Sequence, residues 1–219
     1  MTKNVAIFGG AFDPIHKGHI DIVNYLNSDK EIDEILIMPS YNHPIKSYNL
    51  SQDSHDDFYY KRIEMIKLSI KTNDKIKISE YERDYCLKNG FNKTYTYDIL
   101  SSLDKNDTNY IFVIGFDSIY DIETWHKYKE LLNEYKFYIF DRDNDNLTTA
   151  PERQRYIGSL DNEYNIKFNY KLITEPKIAQ ISSTDLKTLL KDKTNNKNKI
   201  LDYLDECVFN YILENNLYE

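Results

Sequence analysis

The sequence predicts an α/β protein built on parallel strands, and three observations carry that reading. The apolar run Val5-Ala6-Ile7-Phe8 ends in Gly9-Gly10, as a buried strand does when it opens into a loop. From Gly18 onward Ile20, Ile22, Val23 and Leu26 share one helical face. Glu34-Ile35-Leu36-Ile37-Met38-Pro39 then reads as a second strand, stopped by proline. Strand, helix and strand in that order imply a parallel pair with a right-handed crossover, and such sheets bind ligands at the carboxyl ends of their strands.

Bulk properties set limits on what the chain does. With 219 residues and 41% hydrophobic content it can bury a substantial core, and one domain over residues 1–219 is expected. A formal charge of -8 argues against nucleic acid or an anionic membrane as partner, while a small anion held in a local pocket stays open. Cys86 and Cys207 lie far apart without CxxC spacing, so neither a disulfide framework nor a metal cluster is expected, which suits a reducing cytoplasm. No stretch approaches the ~20 apolar residues of a membrane span, and the amino-terminal apolar run is too short for a signal peptide. The mature chain is therefore expected to start here. Twenty Tyr and ten Phe against one Trp read as a compositional bias.

The loop after the first strand, Gly9-Gly10-Ala11-Phe12-Asp13-Pro14-Ile15-His16-Lys17-Gly18-His19, reads as a phosphate site. Its two glycines allow a ligand close to the backbone, and Asp13-Pro14 is a turn signal. A helix amino terminus offers unpaired N–H groups and a partial positive charge, both suited to phosphate oxygens. His16 and His19 are three apart, so both imidazoles can point the same way in a first turn, and Gly18 between them is expected to keep that surface open to a bulky anion. A zinc site would need a third ligand, for which Asp13 is available, but a helix start suits an oxyanion better. Each histidine taken alone reads better as a packed or capping residue; it is the order of strand, glycine pair, Phe-Asp-Pro, His-x-Gly-His and helix that points to the phosphate site.

Together these residues resemble the HxGH superfamily of nucleotidylyltransferases, and the GGxFDPxHxGH form is similar to nicotinate or nicotinamide mononucleotide adenylyltransferases. The resemblance implies a doubly wound, Rossmann-like parallel sheet of five to six strands, with residues 182–219 as its carboxy-terminal helical part. It implies ATP, magnesium entering with the ATP, and a pyridine mononucleotide as ligands.

The rest of the chain fits this order. Ser40 to Asp57 reads as a loop over the same sheet edge, in which His43-Pro44-Ile45-Lys46 stands where family members carry a proline-flanked basic residue that helps hold phosphate. Phe58, Ile63, Ile66 and Ile70 have near-helical spacing, and Lys75 to Tyr81 alternates as a strand. Arg62 on that helix reads as a surface residue or as the family's basic residue, and both readings stay open. Thr94-Tyr95-Thr96 resembles the family's Ser/Thr-Tyr-Thr stretch, which opens a helix near the pyridine ring, with Thr94 or Thr96 as a cap. Tyr110 to Ile114 is the most apolar strand and a candidate for the sheet's centre, and Gly115-Phe116-Asp117 puts a carboxylate at the same edge, where nucleotide ribose hydroxyls could be held.

Thr124-Trp125-His126-Lys127-Tyr128-Lys129-Glu130-Leu131-Leu132 matches the family's Thr-Trp-x-x-x-x-Glu-Leu-Leu pattern, in which Trp125 offers an aromatic face to the pyridine ring. Lys136 to Phe140 is a further strand. Asp141-Arg142-Asp143 replaces the family's Arg-Pro, so no role is carried onto Arg142. A short helix over Pro151 to Leu160 and a strand over Ile166 to Ile173 lead to Ile181-Ser182-Ser183-Thr184-Asp185-Leu186-Lys187, which resembles the family's ISSTxxR signature. Ser182 and Ser183 are expected to cap the helix there, while free N–H groups and the hydroxyls, with Thr184, face a triphosphate. Lys187 replaces the usual Arg, keeping the charge and losing the bidentate fork. Ile200, Leu201, Leu204, Val208, Tyr211 and Ile212 then predict one closing helix.

The reaction the resemblance implies is attack of nicotinate mononucleotide's 5′-phosphate on the α-phosphorus of ATP, giving nicotinate adenine dinucleotide and pyrophosphate. Nicotinamide mononucleotide as acceptor is the first alternative. His16, His19 and Lys187 are the candidate catalytic residues. Gly9, Gly10, Ala11, Phe12, Gly18, Gly115, Asp117, Ser182, Ser183 and Thr184 are expected to bind ATP, and Lys46, Thr94, Thr96 and Trp125 the second substrate. No metal-ligating residue is expected, and a homo-oligomer is left open. Pantetheine-phosphate adenylyltransferase shares the end motifs but lacks the tryptophan segment. The RTxGIS signature of cytidylyltransferases for glycerol phosphate or choline phosphate is missing, as are Walker A and GxGxxG patterns. A nucleotide sensor without turnover is the reading from another class.

Overall fold

A computed structural model describes residues 2–42, 52–91, 93–141, 149–164, 166–175 and 178–218. Six strands, β1 (Lys3–Gly10), β2 (Glu34–Pro39), β3 (Ile76–Ile78), β4 (Thr108–Gly115), β5 (Lys136–Phe140) and β6 (Tyr170–Ile173), form one sheet in the order β3-β2-β1-β4-β5-β6. Every neighbouring pair is parallel. The chain leaves β1 toward one edge and returns past it to β4, so the topological switch lies between these two strands, where such sheets hold ligands beyond the strand ends.

Both faces of the sheet are buried, as a doubly wound sheet requires, and the period of two along each strand sorts the side chains. Ala6, Phe8, Ile35, Ile37, Ile111 and Val113 face one core, with Ile22, Val23 and Leu26 of α1 (Lys17–Ser28), residues of α2 (Gln52–Ser69), and the carboxy-terminal helices α7 (Ser183–Leu190), α8 (Lys197–Leu201) and α9 (Glu206–Glu214). Val5, Ile7, Phe112, Ile114, Phe137 and Ile139 face the other, which α4 (Thr96–Ser102), α5 (Tyr128–Glu134) and α6 (Ala150–Tyr164) cover. Each fully buried aliphatic side chain contributes roughly 1.5–3 kcal/mol over leaving it in water.

The structure departs from the periodicity reading in four places. The strand expected over Lys75–Tyr81 pairs only across Ile76–Ile78, because β3 is an edge strand bonded to β2 alone and Tyr81 already begins α3 (Tyr81–Asn89). That helix buries little beyond Cys86, so it leaves no apolar stripe to read. The strand expected over 166–173 is shorter, and the preceding helix longer. The single closing helix is two, broken where Asp205 takes the cap position of α9 with Glu206 behind it, an acidic helix start inside an unbroken apolar pattern. Lys17 holds this break: its Nζ donates to the carbonyls of Leu201 (3.1 Å) and Asp202 (2.8 Å), and its backbone N–H to Tyr203 (2.8 Å).

Candidate active site

The site starts where β1 runs into its glycine pair. Phe12 takes a positive φ of 46°, strained for a residue with a side chain, and its ring is sealed edge-on against Phe8 (5.3 Å between centroids) and beside His19 (4.9 Å). A Cβ on Gly10 would come within 3.3 Å of that ring, so the glycine is what lets Phe12 fold back. Arg62 clamps the same loop. Its guanidinium is fully buried and donates to the carbonyls of Ala11 (2.6 Å) and Ser40 (2.8 Å), tying the loop after β1 to the loop after β2. Of the two readings left open for Arg62, the surface one is therefore wrong.

His16 is the cap residue of α1, and the helix begins one residue earlier than the apolar pattern indicates. His19 Nδ1 accepts from the His16 backbone N–H (3.3 Å), and the imidazoles lie with centroids 3.7 Å apart and 33° between planes. Both are buried, at 1% and 8% exposure, so the spacing does bring the two rings together. Gly18 plays a different part from the one its position suggests. A Cβ there would meet the Ala179 carbonyl at 2.9 Å and the His16 ring at 3.2 Å, so the space is filled by protein and not kept open for an anion. The close approach is held from the other side by Asp21, which accepts from the Ala179 N–H (3.0 Å).

That contact delivers α7 to the glycine loop three residues later. Ser182 caps α7 as expected: its Oγ accepts from the Asp185 N–H (3.1 Å), while its own hydroxyl and N–H donate to the Asp185 carboxylate (2.6 and 3.2 Å). Ser183 Oγ donates to the Pro14 carbonyl (3.1 Å), so neither serine hydroxyl faces an open site in this structure, a correction to the expectation. Thr184 is exposed in the first turn. Lys187 Nζ lies 2.9 Å from the Asp13 carboxylate. The Ser182, Ser183 and Lys187 side chains are each satisfied within the protein, as buried and half-buried polar groups are.

Next to this junction a cavity of about 600 Å³ opens at the carboxyl ends of β1 and β4. It gathers Gly9, Gly10, Ala11, Thr94, Thr96, Asp117 and Trp125 from the sequence-derived set, and adds Ser40, Glu82, Tyr95, Asp121 and His126. Trp125 follows a short 3-10 turn (Ile122–Thr124) and contacts Phe112 edge-on at 6.3 Å, so it is wall to the cavity and only partly core. Gly115 ends β4 beside Phe140 and does not line the cavity. His16, His19, Gly18, Ser182, Ser183, Thr184 and Lys187 belong to the neighbouring junction. Lys46 and Arg142 lie outside the described residues.

Neither Thr94 nor Thr96 caps α4, whose cap position is Tyr95 without a side-chain bond. Thr94 is spent differently: its hydroxyl donates to Glu82 (2.6 Å), which also accepts from the Tyr41 N–H (2.9 Å). Burial pushes the Glu82 carboxyl above its ordinary pKa although both hydrogen bonds and the nearby Arg62 favour the charged form. Glu82 was invisible in the sequence because Glu82-Arg83-Asp84 reads as a solvated charge run, and only packing turns its first member inward. Among the described residues no three His, Cys, Asp or Glu side chains converge as a metal site.

A family model described as cytidylyltransferase-like matches residues 7–189. The nicotinate-nucleotide adenylyltransferase of Bacillus subtilis is 32% identical over 99% of both chains. A probable nicotinate-nucleotide adenylyltransferase of Clostridium acetobutylicum is also 32% identical, again over 99% of each chain. Among solved structures, the Plasmodium falciparum nicotinic acid mononucleotide adenylyltransferase complexed with NaAD superposes with a TM-score of 0.76 at 26% identity, covering 99% of this chain and 97% of the other.

Proposed function

This chain belongs to the nicotinate-nucleotide adenylyltransferase family, within the cytidylyltransferase-like group, and from that premise we propose how its residues divide the work of adenylyl transfer. The reaction joins nicotinate mononucleotide to the adenylyl group of ATP and releases pyrophosphate, a step of NAD biosynthesis. The observation that carries the assignment is the junction of two helix starts, α1 with His16 and His19 and α7 with Ser182 to Lys187, over one glycine loop beside a nucleotide-sized cavity.

The nucleophile is an already ionised phosphate, so the barrier lies in bringing two anions together and in the charge that builds on the transferring phosphoryl group. Positioning and preorganised charge are what the protein supplies. The adjacent imidazoles and the first N–H groups of α1 are assigned to the α- and β-phosphates of ATP, and Thr184, Lys187 and the start of α7 to the β- and γ-phosphates. Gly9, Gly10, Ala11 and Phe12 let the nucleotide lie against the backbone. The cavity takes the pyridine nucleotide, with Trp125 as the ring's aromatic wall and the Thr94–Thr96 stretch at its polar end. Asp117, which lines the cavity, is assigned to the ribose hydroxyls. Magnesium is assigned to ATP as part of the substrate, where phosphate oxygens and water are its ordinary ligands.

No described helix is long and apolar enough to cross a membrane, and the reading is of a cytoplasmic enzyme. The test is pyrophosphate release from magnesium-ATP with nicotinate mononucleotide, nicotinamide mononucleotide and phosphopantetheine supplied in parallel. Release with the first well above the other two is expected. A preference for nicotinamide mononucleotide would move the acceptor within the family, and ATP binding without release from any of the three would point to a sensor.

A further inference from the structure

Asp13 joins the two ends of the chain. It sits in the glycine loop with 2% exposure, and both of its carboxylate oxygens have a donor. Lys187 Nζ reaches Oδ2 at 2.9 Å, and the hydroxyl of Tyr218, more than two hundred residues away in sequence, reaches Oδ1 at 2.7 Å. The two donors differ in freedom. The Lys187 side chain is 34% exposed at the mouth of the junction, whereas Tyr218 is anchored beyond α9, its ring packed against the core that α1 and α9 share.

On the reading above, Lys187 serves the phosphates of ATP. An ammonium cannot fully serve a phosphate and Asp13 together, and a buried carboxylate left with no donor is strongly disfavoured. The Lys187 ion pair alone would therefore hold the lysine back from the nucleotide. A second, fixed donor removes that obstacle, because Asp13 keeps a charge-assisted hydrogen bond when the lysine turns away.

We propose that Tyr218 is a positioning residue for the reaction: its hydroxyl holds the Asp13 carboxylate satisfied and in place, so that Lys187 is released to the triphosphate when ATP binds. The proposal rests on the phosphate role of Lys187. It gives the carboxy-terminal residues a part in ATP binding although the cavity is lined without them.

The experiment compares Tyr218→Phe, Lys187→Ala and the double variant in the full chain, reading KM for ATP, KM for nicotinate mononucleotide, ATP affinity by titration calorimetry, and the melting temperature. Tyr218→Phe keeps the packed ring and removes only the hydroxyl. Its KM for ATP should rise about tenfold, the size expected for a hydrogen bond to a charged group, with KM for the pyridine nucleotide unchanged. In the Lys187→Ala background the same substitution should leave ATP affinity where it was, since no lysine remains to be released. An equal loss of ATP affinity in both backgrounds would mean that Tyr218 only supports the fold, and would overturn the proposal. So would an unchanged KM for ATP in Tyr218→Phe. If Lys187→Ala itself leaves ATP affinity unchanged, the phosphate role of Lys187 is what fails, and the proposal falls with it.

Discussion

α1 and α7 both begin beside the glycine loop, yet His16 and His19 are sealed inside the protein while Ser182 is half-exposed and Asp185 faces solvent. At the first start Phe8 and Phe12 pack on the His19 ring, and Arg62 clamps the loop that leads to it. The second is held by the Ser182–Asp185 capping box and by Ser183 on the Pro14 carbonyl; α1 carries a capping box of its own between His16 and His19, and differs in being buried. A consequence is electrostatic. The Ser182–Asp185 box puts the Asp185 carboxylate in the first turn of α7, where on the proposed phosphate role it would oppose the incoming anion and leave Lys187 to supply the positive charge at that end. The α1 start carries no acidic residue in its first turn. The α1 start is enclosed by packed rings, and the α7 start holds its polar groups on Asp185, Pro14 and Asp13.

The comparison breaks most visibly at the buried start. His19→Ala should lower kcat for pyrophosphate release by about 10²–10³-fold, the range for loss of one preorganised donor at a developing charge. Turnover within a few-fold of the parent would remove the histidines from the mechanism. Gly18→Ala attacks the contact that holds the two starts together. Its methyl would press on the Ala179 carbonyl, which is backbone and cannot swing away, so a loss of about 1–3 kcal/mol is expected, read as a lower midpoint in chemical denaturation. An unchanged midpoint would show that the 179–182 segment is free to move.

Two smaller effects sharpen the division between junction and cavity. Trp125→Ala should raise KM for the pyridine nucleotide by roughly tenfold, the scale of base-on-aromatic stacking, and leave KM for ATP alone. A rise in both would place the tryptophan in the fold and not in the subsite. Asp185→Asn removes the opposing charge from α7 and should lower KM for ATP about two- to fivefold at low ionic strength, at a cost of under about 1 kcal/mol in stability. An increase would mean that the box aligns Thr184 and Lys187 more than its charge repels.

How far the sequence reaches follows from what each residue depends on. The central strands are legible because burial on both faces demands an unbroken apolar run, which Val5 to Phe8 and Ile111 to Ile114 supply. The cap at Ser182 is legible because its partner Asp185 is three residues away. The break before α9 shows the limit: Leu204 and Val208 continue the apolar pattern straight across it, and the carbonyls it frees are taken up by Lys17, near the other end of the chain. β3 and α3 show another, since an edge strand paired on one side and a helix burying little beyond one cysteine leave weak patterns.

The sequence by itself determined the α/β order, the glycine loop with its two histidines at a helix start, the serine cap of α7 and, through motif order, the family. All of these are set by neighbours within a few residues or by the period of a strand or helix. The tertiary structure decided what the polar groups actually hold: Arg62 on two loop carbonyls, Glu82 on Thr94 and the Tyr41 N–H, Gly18 against the Ala179 carbonyl, and Asp13 between Lys187 and Tyr218. The physical reason is that a hydrogen bond or a close backbone contact is specific at about 3 Å, and no local pattern encodes which distant residue the fold brings within that distance.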